Sequence, residues 1–136
     1  MVLPMFAMVI LIVFIFIYGL QLRVMAVKKG QVHPGYFKVF DPRNQQIPER
    51  ILQHKNHADN LFQVPVLFYA ACIVAMLSEP TDTMVFLAWG FVLLRVVHSF
   101  IHLTYNNVVH RLVAFVVSNI LLMVLWVQVV ISSTSS

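Results

Sequence analysis

Charged residues are scarce in this sequence. Only 10% of its 136 residues are Asp, Glu, Lys or Arg, whereas 60% are hydrophobic. A soluble domain carries about 25% charged residues and needs them to cover its surface. The shortage excludes a water-soluble globular domain and predicts a chain whose solvent is lipid. Because a membrane helix takes about 20 apolar residues, four helices with short loops use residues 1–136 as a single domain.

Cysteine and acidic residues are also few. Cys72 stands alone in an apolar run, which excludes an intrachain disulfide and favours a buried small hydrophobe. Nine basic and five acidic side chains give a net charge of +4. In a membrane chain such an excess sets orientation, so we expect no nucleic-acid partner. No Lys or Arg precedes the N-terminal apolar run, which we interpret as a retained helix and not a signal peptide.

What the sequence has instead is long apolar runs separated by helix-breaking residues. They predict an all-α integral membrane protein, a four-transmembrane-helix bundle with helices at about residues 2–27, 49–77, 84–104 and 108–131. The first loop is rich in Gly and Pro and is too long for a tight turn. Pro65 lies inside the second helix, where we expect a kink.

The basic residues all fall on one side of the predicted bundle. They flank the first loop or lie near the third loop, at Arg23, Lys28, Lys29, Lys38, Arg43, Arg50, Lys55, Arg95 and Arg111. The opposite side carries Glu79 and Asp82 and no Lys or Arg. The positive-inside rule therefore predicts that loops 1 and 3 are cytoplasmic and that both termini lie outside.

Polar side chains form two stripes inside the predicted second and third helices. Their members recur at helical spacing and are Asn56, Asp59, Asn60 and Gln63 on the second helix and Arg95, His98, His102 and Tyr105 on the third. Arg111 begins the fourth helix. A charged group inside a span costs about 2.5–3.5 kcal/mol, so such residues are functional candidates. The stripes predict a cytoplasmic polar cleft for an anionic, peptide-like ligand, with Asp59 as an internal acceptor.

Other interpretations of the same residues stay open. Polar stripes also join helices through interhelical hydrogen bonds, and residues such as Arg50 can extend to the lipid headgroups. Six histidines raise the possibility of a metal or a haem. His98 and His102 have the i, i+4 spacing of metal ligands, and His57 with His102 is a candidate haem pair. No Cys pair or Glu-x-x-His motif accompanies them, so we expect no metal.

Three segments of the chain resemble the MAPEG family, the membrane-associated proteins of eicosanoid and glutathione metabolism. Residues 49–50 and 54–60 are similar to the family's Glu-Arg lead-in and its Asn-x-x-Glu-Asn signature on the second helix. Residues 95–102 resemble its Arg-x-x-His-x-x-x-Tyr stripe on the third helix. Arg111 follows Arg95 by sixteen residues, where a family arginine begins the fourth helix. The resemblance covers most of the chain.

The chain also departs from the family pattern. Asp59 replaces the usual Glu, and His102 stands where Tyr is common. Leu112 follows the arginine of the fourth helix, where prostaglandin-synthesising members have Ser. An alternative register uses residues 60–63 as the signature and replaces the acid with an amide. These departures argue against prostaglandin-type isomerase chemistry.

The resemblance implies a homotrimer of four-helix bundles with glutathione as cosubstrate, bound between protomers on the cytosolic side. Arg111 would be the catalytic residue that holds the glutathione thiolate. The predicted glutathione-binding residues are Arg23, Asn56, Asp59, Asn60, Arg95, His98, His102 and Tyr105. A permanently charged Arg favours the thiolate of a thiol whose ordinary pKa is about 8.5.

The expected function is that of a membrane-bound glutathione transferase or peroxidase in a bacterial inner membrane. It would conjugate or reduce hydrophobic electrophiles or lipid hydroperoxides that arrive from the bilayer. The alternative is a non-enzymatic lipid-binding or scaffolding protein of the same fold. A small multidrug transporter needs an acid in the first helix, and this helix has none. A haem electron carrier would reveal itself by its visible absorption spectrum.

Overall fold

The protein is a bundle of long helices, described by a computed structural model at residues 1–39 and 47–134. Its helices are α1 (Val2–Lys28), α2 (Tyr36–Val39), α3 (Glu49–Leu77), α4 (Asp82–Leu103) and α5 (Val108–Thr134). All except the four-residue α2 are long and apolar enough to cross a membrane. The predicted all-α, four-transmembrane-helix bundle is therefore confirmed. Of the basic residues that predict its orientation, Arg43 and the side chain of Lys38 lie outside the described part.

Apolar side chains from all four long helices form the centre of the bundle. Met8 of α1, Phe68 of α3, Phe91 of α4 and Leu125 of α5 belong to one buried cluster. Phe68 and Phe91 stack with ring centroids 4.6 Å apart. The outward faces are equally apolar, with large side chains such as Phe86 exposed. An apolar exterior around an apolar core is the arrangement expected when lipid surrounds the helices.

A glycine sets the contact between α1 and α3. A Cβ atom at Gly19 would lie 2.0 Å from Cε1 of His54, so only glycine fits beneath that ring. Nε2–H of His54 donates a hydrogen bond to the main-chain carbonyl of Ile15 at 2.9 Å. The imidazole thus fastens the N-terminal half of α3 to α1.

A second, smaller apolar cluster holds the start of the first loop against the bundle. It joins Ala26, Val32, Tyr36 and Ile51, which come from α1, the loop, α2 and α3. All four side chains are buried. At the other end of α3, the helix continues through Pro65 to Leu77.

Candidate functional site

Two consecutive asparagines determine where α5 begins and where Arg111 points. Oδ1 of Asn107 accepts hydrogen bonds from the N–H groups of Val109 and His110 at 3.0 and 3.1 Å, which caps the helix. Asn106 adopts a φ of 47°, a left-handed conformation that asparagine tolerates well. Its Oδ1 accepts a hydrogen bond from Nη1 of Arg111 at 3.0 Å. The turn between α4 and α5 therefore both starts the helix and holds the guanidinium.

Two histidines of α4 hold Arg111 from the other side. Nη1 of Arg111 donates to Nε2 of His102 at 3.3 Å. Nδ1–H of His98 donates to the main-chain carbonyl of Arg111 at 3.0 Å. The side-chain amide of Gln53 in α3 donates to the carbonyl of His102, which ties this end of α4 to α3. The main chain and the side chain of Arg111 are thus held by α4 and by the turn that precedes α5.

Arg111 lines a cleft of about 260 Å³ that is formed by α3, α4 and α5. The cleft is lined by Asn56, Asn60, His98, His102, Val108, Arg111, Leu112 and Phe115. Five of the predicted site residues therefore meet in one place. The lining offers a guanidinium, two amides and two imidazoles, and it includes no carboxylate. Such a set favours a ligand with anionic and peptide-like groups.

Arg95 lies behind this cleft and not in it. Its side chain is fully buried, and Nη1 donates to Oδ1 of Asn60 at 2.9 Å. The guanidinium carbon lies 5.2 Å from the ring centre of Phe91 and 5.1 Å from that of Phe115. Such cation–π contacts help to stabilise a buried cation. Nε and Nη2 have no hydrogen-bond partner, so the side-chain hydrogen bond that links Arg95 to the cleft is the one to Asn60.

Arg23 and Asp59 line a different groove. This groove, of about 220 Å³, lies between α1 and α3 and also includes Lys55 and His54. Successive residues of a helix are about 100° apart, so Asp59 and Asn60 lie on different faces of α3. The expectation that Asp59 is an acceptor inside the cleft is therefore not met within a single chain.

Tyr105 also lies away from the cleft. Its side chain is 56% exposed, and its hydroxyl hydrogen-bonds Nδ1 of His110 at 3.2 Å. The helical count that predicted a shared stripe fails here because α4 ends at Leu103. His102 stays on the stripe and lines the cleft in its place.

The sequence stripes missed His57 as part of the site. Its ring is fully buried and lies 4.7 Å from that of His102 and 5.6 Å from that of His98. Directly packed rings leave no room for a macrocycle, so His57 and His102 do not fit the haem pair considered above. Among the residues that the structure describes, no group of three His, Cys, Asp or Glu side chains is arranged to hold a metal. His57 follows Asn56 directly and so falls off its stripe, and the sequence paired it with His102 only as a haem candidate.

The comparison with protein families agrees with this arrangement of helices. The model of the MAPEG family matches residues 2–131, which include all four long helices up to the last turn of α5. Searches of curated proteins and of solved structures found no match. The matched range contains every residue that lines the cleft and the groove between α1 and α3.

Proposed function

The chain belongs to the MAPEG family, and we propose that it is a membrane-bound glutathione transferase or peroxidase. Arg111 stabilises the glutathione thiolate in the cleft between α3, α4 and α5. In conjugation, the sulfur forms a bond to a hydrophobic electrophile, which releases its leaving group or opens its ring. In peroxidase turnover, two glutathione thiols reduce a lipid hydroperoxide to an alcohol and water and become the disulfide.

The observation that carries this proposal is the way Arg111 is held. Asn106 and His102 contact its guanidinium, and His98 contacts its main chain. A free thiol has a pKa of about 8.5, so little thiolate forms at neutral pH. Each unit by which the thiol pKa falls needs about 1.4 kcal/mol of preferential stabilisation. A fixed, permanently charged guanidinium beside the sulfur supplies stabilisation of this kind.

The two asparagines of α3 are suited to the peptide part of glutathione. Oδ1 of Asn60 already accepts from Arg95, so its Nδ2 donors remain for a carboxylate or carbonyl in the cleft. Asn56 lies one turn earlier on the same wall. Arg95 then acts by orienting Asn60 and by adding positive charge behind it.

The proposal includes a homotrimer, in which Arg23 and Asp59 of one protomer act on glutathione in the neighbour's cleft. Both residues line the groove between α1 and α3, which is separate from the cleft. We expect Asp59→Asn to weaken glutathione binding without changing thermal stability, because Asp59 is exposed. Isothermal titration measures the glutathione affinity, thermal unfolding measures the stability, and native mass spectrometry measures the mass of the oligomer. Unchanged affinity or a monomeric mass would contradict this arrangement.

The thiolate of bound glutathione reports on the charge of Arg111. Glutathione added to the detergent-purified protein is expected to give thiolate ultraviolet absorbance at neutral pH. Arg111→Ala should abolish it, because the charge next to the sulfur is lost. Arg111→Lys should retain part of it, since it keeps a charge but loses the fork of donors. Lys29→Ala is the matched control, because Lys29 is exposed and lies outside the cleft. A full signal in Arg111→Ala would refute the catalytic assignment.

One observation favours the alternative of a non-enzymatic lipid-binding protein. From Phe115 an apolar groove of about 560 Å³ continues along α5, past Ile120 and Met123 to Val127. In the proposed enzyme this surface receives the hydrophobic substrate. If glutathione gives neither thiolate nor protection from thermal unfolding while a lipid does protect, the lipid-binding function replaces the enzymatic one.

A further inference from the structure

Three buried histidines form a cluster behind the cleft, which we call the histidine cluster: His57 of α3 and His98 and His102 of α4. Their ring centroids lie 4.7, 5.6 and 5.9 Å apart. All three side chains are exposed by 5% or less. His98 and His102 both contact Arg111, whereas His57 packs only behind them.

The contacts with Arg111 determine which ring nitrogen carries the proton. A carbonyl only accepts, so Nδ1 of His98 carries the proton and its Nε2 carries a lone pair. A guanidinium only donates, so Nε2 of His102 carries a lone pair and its Nδ1 carries the proton. The two remaining nitrogens are therefore an acceptor on His98 and a donor on His102.

These two remaining nitrogens are buried and have no hydrogen-bond partner in the structure. Both ring nitrogens of His57 are likewise buried and have no hydrogen-bond partner. A neutral imidazole has one N–H donor and one lone pair. One nitrogen of His57 can therefore donate to Nε2 of His98, and the other can accept from Nδ1–H of His102.

We propose that His57 closes a ring of hydrogen bonds that holds Arg111. The guanidinium donates to His102, His102 donates to His57, His57 donates to His98, and His98 donates to the main-chain carbonyl of Arg111. The first and last of these bonds are present in the structure. Every donor in the ring faces an acceptor in the same direction, so the bonds polarise and strengthen one another.

The spacing of the rings suits this arrangement. An N–H···N bond between two imidazoles needs nitrogens about 3 Å apart, which places the ring centroids roughly 5 Å apart. The separations of His57 from His102 and from His98, 4.7 and 5.6 Å, lie on either side of that value. Rotation of the His57 ring brings one nitrogen toward Nδ1 of His102 and the other toward Nε2 of His98. An apolar side chain here would instead leave two buried nitrogens unpaired.

The ring of hydrogen bonds makes His57 a positioning residue for the reaction proposed above. The activity test of this inference rests on that proposal. His57 does not line the cleft. It acts on Arg111 through His102, because a bond from Nδ1–H keeps the lone pair of Nε2 directed at the guanidinium. Without His57, His102 is free to carry its proton on Nε2. An N–H group there would repel the N–H donor of Arg111, to which Nε2 offers its lone pair in the structure.

The tautomers can be measured directly on the wild-type protein without glutathione. Nitrogen NMR of isotope-labelled histidine side chains in detergent distinguishes a protonated Nδ1 from a protonated Nε2. We expect the proton on Nδ1 in both His98 and His102, and hydrogen-bonded shifts for both nitrogens of His57. A His102 ring protonated on Nε2 would overturn the proposal.

Two substitutions at the same position test the role in the reaction. His57→Gln keeps one donor and one acceptor, whereas His57→Phe keeps an aromatic ring with neither. We expect His57→Phe to lower the ratio of thiolate to thiol in bound glutathione about tenfold, the effect of roughly one hydrogen bond. Glutathione affinity should fall by less than this ratio does, because binding of the neutral thiol is unchanged, and His57→Gln should stay within about threefold of wild type in thiolate formation. Wild-type thiolate in His57→Phe, or equal impairment of the two variants, would contradict the positioning role.

The two experiments separate this inference from the proposed function. Expected tautomers without any thiolate in the wild type would support the ring and reject glutathione activation. Thiolate formation with His102 protonated on Nε2 would support glutathione activation and reject the ring. If His57→Phe fails to fold, the measurement on the wild-type protein still decides the arrangement of the bonds.

Discussion

Arg95 is the most unusual single residue in the described part of the chain, because a full positive charge is buried with one hydrogen-bonded partner. Asn60 is that partner, at 2.9 Å. A buried cation without a counter-charge is costly, and removal of its last partner typically costs about 3 kcal/mol or more. The stability of the site should therefore depend strongly on the side chain at position 60.

We predict opposite effects for two substitutions at this position. Asn60→Leu should lower the free energy of unfolding by about 3 kcal/mol, because Arg95 loses its partner. Asn60→Asp should raise the thermal unfolding temperature by adding a counter-charge, yet weaken glutathione binding by placing an anion in the cleft. Thermal unfolding in detergent and isothermal titration measure the two quantities. Equal stability of all three proteins would show that Asn60 does not support Arg95.

At the scale of residues, helical spacing predicted the parts of the site that lie one turn apart on one face. Asn56 with Asn60, and His98 with His102, are each separated by four residues and share the cleft. Spacing places Phe91 one turn before Arg95 on α4, but it could not predict that Phe115 of α5 also covers the guanidinium. These rings, from different helices, come together only in the folded bundle.

At the scale of elements, the contact between α1 and α3 depends on a single missing side chain. We predict that Gly19→Ala lowers the free energy of unfolding by about 2 kcal/mol, because overpacking displaces His54 from the carbonyl of Ile15. Gly90→Ala is the matched control. Its Cβ would meet only Cδ1 of Leu121, the end of a flexible side chain, at 2.8 Å. Thermal unfolding should show a loss for Gly19→Ala alone, and equal losses would argue against a special role for His54.

The sequence predicts the long helices well because lipid leaves few alternatives to an apolar helix. A backbone in hydrocarbon must satisfy its own hydrogen bonds, so a run of about 20 apolar residues becomes a helix. The short helix α2 was not predicted. A helix of four residues has no stability of its own and forms through the packing of Tyr36 against Val32 and Ile51. That packing depends on contacts between distant parts of the chain.

At the scale of the whole molecule, the charge distribution predicts a single orientation in the membrane. We predict that Thr83→Cys, an exposed position in the first turn of α4, reacts with an impermeant thiol reagent in intact cells. Lys29→Cys, in the first loop, should react only after the membrane is permeabilised. Cys72 is fully buried and provides an unreactive background. The reverse labelling pattern would place loops 1 and 3 outside and remove cytosolic access to the cleft.

The length of α3 has a consequence for how reactants meet. Its 29 residues extend about 43 Å, whereas the hydrocarbon layer is about 30 Å thick. Roughly nine residues, about the first two and a half turns, therefore stand among the headgroups, and Asn56 belongs to them. This depth places the cleft at the boundary between two solvents, so in the proposed reaction a water-soluble thiol and an oil-soluble acceptor would each approach from the phase in which they dissolve. Neither has to cross into the other phase before they react.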